Sequence, residues 1–292
     1  FPSLNVTEDK NTVSITGSNF SITFSKATGK MGSLQYAGQE IIRTALTPNF
    51  WRPLTDNDVA NETLSRCGIW KNVENDLKLK KININKIFDK IILVTANYEL
   101  IRQNSTFEVA YRIDALGRIK VSVNFYPGEN PLPEMPRFGM YMVLPAEYEH
   151  MSWLGRGPHE NYSDRKTSAF IGLYQSTIWK EFHPYVRPQE TANKCDVRWI
   201  TLQNNLGKGI KITGEKPLSV SAWNFTQEDI DYIPFHQERK HGGSIHKKEM
   251  VWVNIDDGQM GVGGDNTWGA QVHPEYTITP EKRGYSFLIE PV

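Results

Sequence analysis

The chain has 292 residues, of which 39% are apolar and 23% charged, and its 33 Lys and Arg residues balance its 33 Asp and Glu residues. A balanced chain sets up no net electrostatic field, which excludes nucleic acid and a membrane surface as expected partners. A neutral small molecule or another protein surface fits better. No apolar run approaches the ~18 residues of a membrane-spanning helix, and no charged start followed by an apolar stretch indicates a signal peptide.

Neither the start of the chain nor its cysteines fix a cellular compartment. The sequence begins with Phe1 rather than methionine, which we interpret as a fragment of a longer protein. Cys67 and Cys195 could form one disulfide, but two cysteines at this spacing are neither a disulfide framework nor a metal-binding pattern. Cytoplasm and periplasm both stay open.

Short apolar alternations with a period of two recur along the chain and predict β-strands. The predicted strands cover residues 12–16, 20–24, 31–36, 91–100, 107–113, 119–125, 138–144, 197–202, 209–213, 218–223 and 285–289. Clusters of Asn, Asp and Gly predict hairpin turns between them, at residues 27–30, 114–117, 203–207 and 256–258. The pattern indicates an antiparallel all-β protein.

Helical periodicity is scarce in this sequence. Only residues 226–233 and 63–73 predict short helices, so we expect less than about a tenth of the chain to be helical, against about a third in an average globular protein. A parallel α/β fold would need long helices between its strands, and these are missing. No linker or composition shift divides the chain, which predicts one large antiparallel two-sheet sandwich over residues 1–292.

Four segments dense in polar and aromatic residues interrupt the strand pattern, and loops held by a rigid sheet commonly carry function. The first, residues 49–58, contains Asp56, Asn57 and Asp58. These residue types favour a capped loop in which the side chains bond their own backbone. The alternative is a metal or sugar contact through Asp56 and Asp58, although the spacing is not that of an EF-hand.

The second and third segments, residues 153–165 and 184–193, bring acidic and basic side chains close together in sequence. Neighbouring Arg and Glu residues favour structural ion pairs that hold a loop, and an acid–base site is the alternative. If the two segments face each other, they form a polar groove on the sheet, lined by His159, Glu160, Arg187 and Glu190.

The fourth segment, residues 260–270, places Trp268 among glycines and beside Asp265 and Asn266, which are two further possible groove residues. Glycines permit backbone conformations that other residues resist, so such a loop can push an indole into a cleft. The flat face of the indole could then stack on the CH-rich face of a sugar. A core position for Trp268 is an equally open alternative. No helix follows, so the glycines are not a dinucleotide-binding loop.

In chain order, the four segments resemble signature segments of the small carboxy-terminal domain of family 2 β-galactosidases. The match covers residues 19 to 290 approximately, and its most specific parts are GRGPHENY at residues 155–162, Asp164 with Arg165, and YVRPQE at residues 185–190. One departure lies in the first segment, where the family's Trp-Arg-Ala-Pro is replaced by Trp51-Arg52-Pro53-Leu54. The proline has moved one place, so family contacts of that loop are not carried over.

The resemblance implies a galactose mutarotase-like supersandwich attached to a catalytic barrel and further domains. It implies that the parent enzyme removes terminal β-D-galactose with retention of configuration, using two glutamates on barrel strands that this chain lacks. Trp268 falls on the family's galactoside-contacting tryptophan, so this segment is expected to contact substrate without being catalytic. The parent family often uses Mg and Na ions, and no cofactor is expected in this segment.

Two other functions remain open from the sequence. A free-standing mutarotase-like sugar epimerase needs a carboxylate and a histidine, and Glu160 or Glu190 with His159 or His183 could fill those roles. No epimerase motif is matched, however. A carbohydrate-binding module is the second alternative.

Overall fold

A computed structural model of the chain describes residues 3–234 and 241–292. Strands make up 49% and helices 11% of the structure, which confirms the all-β prediction. The helical share is slightly above the expected tenth, because several loops close with a single turn. No helix among the described residues has the length and apolar character needed to cross a membrane.

The strands are named in chain order. They are β1 (Asn5–Glu8), β2 (Thr12–Thr16), β3 (Phe20–Ser25), β4 (Met31–Tyr36), β5 (Gln39–Glu40), β6 (Thr44–Asn49), β7 (Leu77–Phe88), β8 (Ile91–Leu100), β9 (Ser105–Asp114), β10 (Ile119–Tyr126), β11 (Arg137–Pro145), β12 (His150–Gly157), β13 (Phe170–Thr177), β14 (Lys194–Gln203), β15 (Gly209–Trp223), β16 (Met250–Gln259) and β17 (Arg283–Pro291).

The helices are short. The α-helices are α1 (Asp56–Ala60), α2 (Thr63–Cys67), α3 (Ile178–Glu181) and α4 (Gln227–Ile230), and single 3₁₀ turns occupy Gly68–Trp70, Val73–Asp76, Gly242–Ser244 and Pro274–Tyr276. The predicted helix at residues 226–233 is therefore present as α4, and the one at residues 63–73 is divided among α2 and two 3₁₀ turns.

The described strands form two antiparallel sheets. The smaller sheet has the order β1-β2-β3-β4-β5, and the larger runs β13-β12-β14-β15-β17-β10-β9-β8-β7. The long strand β15 branches the larger sheet, because its second half also pairs with β16, which leads on to β11 and β6. This branching explains why residues 209–213 and 218–223, predicted as two strands, belong to one.

Alternating burial shows why the predicted strands form. In β8 and β9 every second side chain is buried, which places Val94, Phe107 and their neighbours in the core. The aromatic ring of Phe50 packs among Trp70, Phe107, Phe125 and Phe138, with ring centroids 5.3–6.0 Å apart. The same apolar core includes residues of the smaller sheet and thus joins the two sheets.

Three predicted turns are confirmed, and the fourth is wrong. At the β9–β10 turn, Gly117 has φ +78° and the Asp114 carboxylate accepts hydrogen bonds from the Leu116 and Arg118 amides. Residues 256–258 instead continue β16, because the Asp256 side chain turns inward against Gly139 and forms an ion pair with Arg137. Cys67 and Cys195 are buried free thiols and do not pair.

Candidate substrate-contact site

Trp268 lies on the loop between β16 and β17, and 91% of its side chain surface is exposed. Trp51, Trp70, Trp153 and Trp223, by contrast, are fully buried. The core alternative for Trp268 is therefore wrong, and its indole is available to a surface outside the chain.

The base of this loop is anchored by Arg52 and Asn57 from the first polar segment. The Arg52 guanidinium is fully buried and donates to the carbonyls of Met260 and Gly261, the latter at 2.7 Å. The Asn57 amide donates to the Val262 carbonyl at 3.0 Å. Two residues far away in sequence thus fix the point where the loop leaves β16.

Asp164 from the second segment holds the same backbone from the other side. Its carboxylate accepts hydrogen bonds from the amides of Val262 at 3.0 Å and Gly263 at 2.7 Å. A Cβ at Gly261 would come within 2.6 Å of this carboxylate, so only glycine allows the approach. The loop base is consequently bound through both its carbonyls and its amides.

Side chains within the loop shape its tip. The Asn266 side chain accepts a hydrogen bond from the Trp268 amide at 2.8 Å, and Gly269 follows with φ +118°. The exposed Asp265 carboxylate pairs with His273 at 2.8 Å, which raises the pKa of that histidine. Asp265 and Asn266 therefore both make contacts within this region of the chain, Asn266 at the loop tip and Asp265 with His273.

The first segment forms a capped helix start, which is the structural alternative predicted for it. Thr55 and Asp58 make a capping box at the start of α1. Asp58 is buried and accepts two hydrogen bonds from Arg52, at 2.9 and 3.1 Å, so it is not free to bind metal. In the described part of the chain, no cluster of three or more His, Cys, Asp or Glu side chains could hold a metal ion.

The second and third segments do face each other, and Glu160 joins them. Its carboxylate accepts hydrogen bonds from the Tyr185 hydroxyl, from Arg165 at 2.7 Å, from Thr191 at 3.1 Å and from the Ala192 amide at 2.8 Å. These contacts are those of a structural ion pair. Both carboxylate oxygens of Glu160 are therefore occupied by hydrogen bonds from neighbouring residues.

The four side chains predicted to share one groove point in three directions. His159 is exposed beside Ser168, at 3.1 Å. Arg187 turns to the first segment, where it donates to the Asp56 carboxylate at 2.6 Å and to the Leu54 carbonyl at 2.9 Å. Glu190 is buried in the interior. The groove therefore exists; Glu160 fixes Arg165 and Tyr185 in its wall, and His159 and Glu190 line different parts of it.

Glu190 belongs to a buried charged cluster with Arg137 and Asp256. Arg137 donates to Glu190 at 3.1 Å and lies 3.3 Å from Asp256, and none of the three side chains is exposed. Burial raises the pKa of Asp256 well above its ordinary value, with Arg137 opposing and Glu190 adding to the rise. Burial also raises the pKa of Glu190. One cation therefore serves two buried acids.

The sequence did not identify Arg52 as an anchor of the Trp268 loop, or Arg137 and Asp256 as members of the buried charged cluster. Arg137 carries no sequence signal, since it is a single charge at the start of a predicted strand. Asp164 and Arg52 lay inside the recognised segments, but only the structure shows that they bind the Trp268 loop.

Comparison with known proteins assigns the family. The family described as "Beta galactosidase small chain" matches residues 16–289, which is most of the chain. The chain belongs to the β-galactosidase small-chain family.

The matching relatives are much longer than this small chain. A β-galactosidase of Priestia megaterium is 36% identical over 296 residues, covering 100% of this chain but 28% of that protein. A β-galactosidase of Lactobacillus delbrueckii subsp. bulgaricus is 34% identical over 94% of this chain and 27% of its own length. This small chain therefore spans about 28% of the relatives it matches.

A solved structure confirms the mutarotase-like fold. Galactose 1-epimerase from Lactobacillus acidophilus NCFM superimposes over 100% of the small chain with a TM-score of 0.53 and 7% sequence identity. At this identity the likeness concerns the fold alone.

The buried acid cluster of the small chain predicts a distinct pH dependence for Asp256→Asn. A carboxyl group with a raised folded pKa stabilises the protein fully below its unfolded pKa, and that contribution is lost as pH rises through the folded pKa. Asparagine mimics the protonated acid and carries no such loss. We expect the unfolding free energy of the unsubstituted chain to fall between pH 5 and pH 8, and that of the variant to fall less over the same range. Urea unfolding at both pH values measures the difference, and a large loss of stability at pH 8 would show that Asp256 is charged.

The anchor of the Trp268 loop predicts a local effect for Asp164→Asn. Asparagine keeps one acceptor oxygen, so one of the two amide hydrogen bonds is lost, and protection of the Val262 and Gly263 amides from hydrogen exchange should fall roughly 5- to 30-fold. Asp265→Asn is the matched control, because the Asp265 carboxylate contacts His273 and not these amides. Equal protection in both variants would mean that Asp164 does not hold the loop.

Proposed function

We propose that this chain is the carboxy-terminal domain of a β-galactosidase that hydrolyses terminal β-D-galactose with retention. In this proposal it completes the galactoside-binding site of a catalytic barrel carried elsewhere in the parent protein. Trp268 is the substrate contact, and the segment supplies shape and desolvation rather than proton transfer. Other domains of the parent are its partners, together with the galactoside.

The observation that carries this proposal is the exposed indole on an anchored loop. Burying a large apolar side chain typically stabilises a protein by roughly 1.5–3 kcal/mol, and Trp268 forgoes this gain. Arg52 and Asn57 donate hydrogen bonds to the loop base, and Asp164 accepts hydrogen bonds from it. These bonds fix the loop that holds the indole outward. An indole held out in this way is suited to a surface beyond the chain itself, such as the apolar face of a sugar.

Catalysis by the chain itself is disfavoured by the state of its candidate carboxylates. Retaining hydrolysis needs two carboxyl groups about 5–5.5 Å apart, one acting as acid and base and the other as nucleophile. Glu160 is fully hydrogen-bonded and Glu190 is buried against Arg137. We therefore expect no hydrolysis of an aryl β-galactoside by the isolated chain above background. Activity that disappears on changing Glu160 or Glu190 would overturn this part of the proposal.

The same two observations weigh against a free-standing epimerase, because neither carboxylate is free to accept the anomeric proton. The fold shared with galactose 1-epimerase gives no catalytic residue to this chain. The Mg and Na ions implied for the parent belong, in this proposal, to parts of the protein outside the segment.

Substitution of Trp268 separates substrate contact from a structural role. Trp268→Ala in the isolated chain should leave the free energy of unfolding nearly unchanged, whereas a core tryptophan would cost about 3–5 kcal/mol. In the parent enzyme the same change should weaken galactoside binding by roughly 1–3 kcal/mol, seen as a higher KM. Denaturant unfolding and steady-state kinetics measure the two effects.

The matched control is Phe88→Ala, which removes another exposed aromatic ring, on the edge strand β7. It should change neither stability nor KM. A large loss of stability in Trp268→Ala, or a KM equal to that of Phe88→Ala, would contradict the proposal.

A further inference from the structure

Two polar clefts adjoin on the surface, and Val262 and Thr267 of the Trp268 loop line the first of them. The first has a volume of about 240 Å³ and is lined by residues of all four polar segments, among them Asn57, Tyr185 and Thr267. The second, of about 570 Å³, contains His159, Ser168, Lys180 and His183. Arg165 and Tyr185 line both clefts, so the two are adjoining parts of one surface, which we name the extended groove.

The shared wall of the extended groove is held in place. The Glu160 carboxylate binds both Arg165 and Tyr185, and it is itself fixed by the Ala192 amide at 2.8 Å. A ligand would therefore meet a surface whose side chains are already ordered, which lowers the entropic cost of binding.

The carboxylates of the groove offer no site for a cation. Each carboxylate that lines it has a basic partner: Asp56 has Arg187 at 2.6 Å, Glu160 has Arg165 at 2.7 Å, Glu181 has Lys194 at 2.8 Å and Glu190 has Arg137 at 3.1 Å. Among the residues that the structure describes, the groove therefore has no unpaired carboxylate to attract a cation, and the free Lys180 ammonium can donate hydrogen bonds to the oxygens of a neutral ligand.

The hydrogen-bonding groups that remain suit hydroxyls. In residues 3–234 and 241–292, the side chains of Lys180 and Thr267 show no hydrogen-bond partner, and His159 shows only Ser168. Flat rings lie beside them, with His183 and Tyr185 at 4.4 Å between centroids. Dispersed hydrogen-bonding groups beside ring faces are complementary to a saccharide, which has hydroxyls at its edge and CH groups on its faces.

We infer that the extended groove binds the continuation of a saccharide chain whose terminal part is held at Trp268. The inference rests on the proposed function and specifies its substrate class as β-galactosyl oligosaccharides longer than a disaccharide. The cleft beside Thr267 takes the sugar nearest the loop, and the cleft with His159 and Lys180 takes sugars further along the chain.

The parent enzyme tests this through the length dependence of its substrates. KM is measured for a β-galactosyl disaccharide and for a tetrasaccharide with the same terminal linkage. The tetrasaccharide should have a KM roughly 5- to 30-fold lower, the effect of one or two added hydrogen bonds. In the double variant His159→Ala with Lys180→Ala the ratio of the two KM values should approach one.

The control is His150→Ala, which removes a histidine from the opposite end of β12 and should leave the ratio unchanged. Equal KM values for both substrates in the unsubstituted enzyme would overturn the inference, as would a ratio that survives the double variant. Trp268→Ala separates this failure from that of the proposed function, because it should raise KM for the disaccharide whether or not length matters.

Discussion

The buried ion pair of Arg52 and Asp58 joins the parts of the candidate site. Asp58 closes the cap of α1, and the same Arg52 guanidinium donates through Nη1 to the Met260 carbonyl and through Nη2 to the Gly261 carbonyl, where the Trp268 loop begins. A buried ion pair stabilises a fold little compared with apolar packing, since desolvation offsets the attraction of the charges. Its value here is geometric, because a planar guanidinium fixes several groups at once.

Further hydrogen bonds connect this ion pair to the other polar segments. The helix that Asp58 caps also presents Asp56, which binds Arg187 and Gln189 and so ties the third segment to the first. Asp164 and Glu160 add the second segment, the former at the loop and the latter at the groove wall. The sheets supply a rigid base, and the polar segments form a single connected surface on it.

Much of the fold could be predicted because period-two burial is a local signal, as β8 and β9 show. Strand β12 was missed because Gly155 and Gly157 suggest a loop. In the structure Gly155 lies within the strand, and a Cβ there would come within 2.9 Å of Val197 on the neighbouring strand. The Asp-Gly pair at residues 257–258 suggests a turn, but the attraction of Arg137 for Asp256 keeps that backbone in β16. The glycines around Trp268 left an exposed and a core indole equally open, and only the family resemblance favoured exposure. The direction of Arg187 was not, because it depends on Asp56, distant in sequence.

We propose that Trp268 contacts the sugar in a site completed by another domain. A crystal structure of the full parent enzyme with a bound galactoside tests this most directly. We expect the indole face in van der Waals contact with the sugar, within about 4–4.5 Å, and the loop base unchanged. An indole buried against another protein segment, with no sugar beside it, would contradict this role of Trp268.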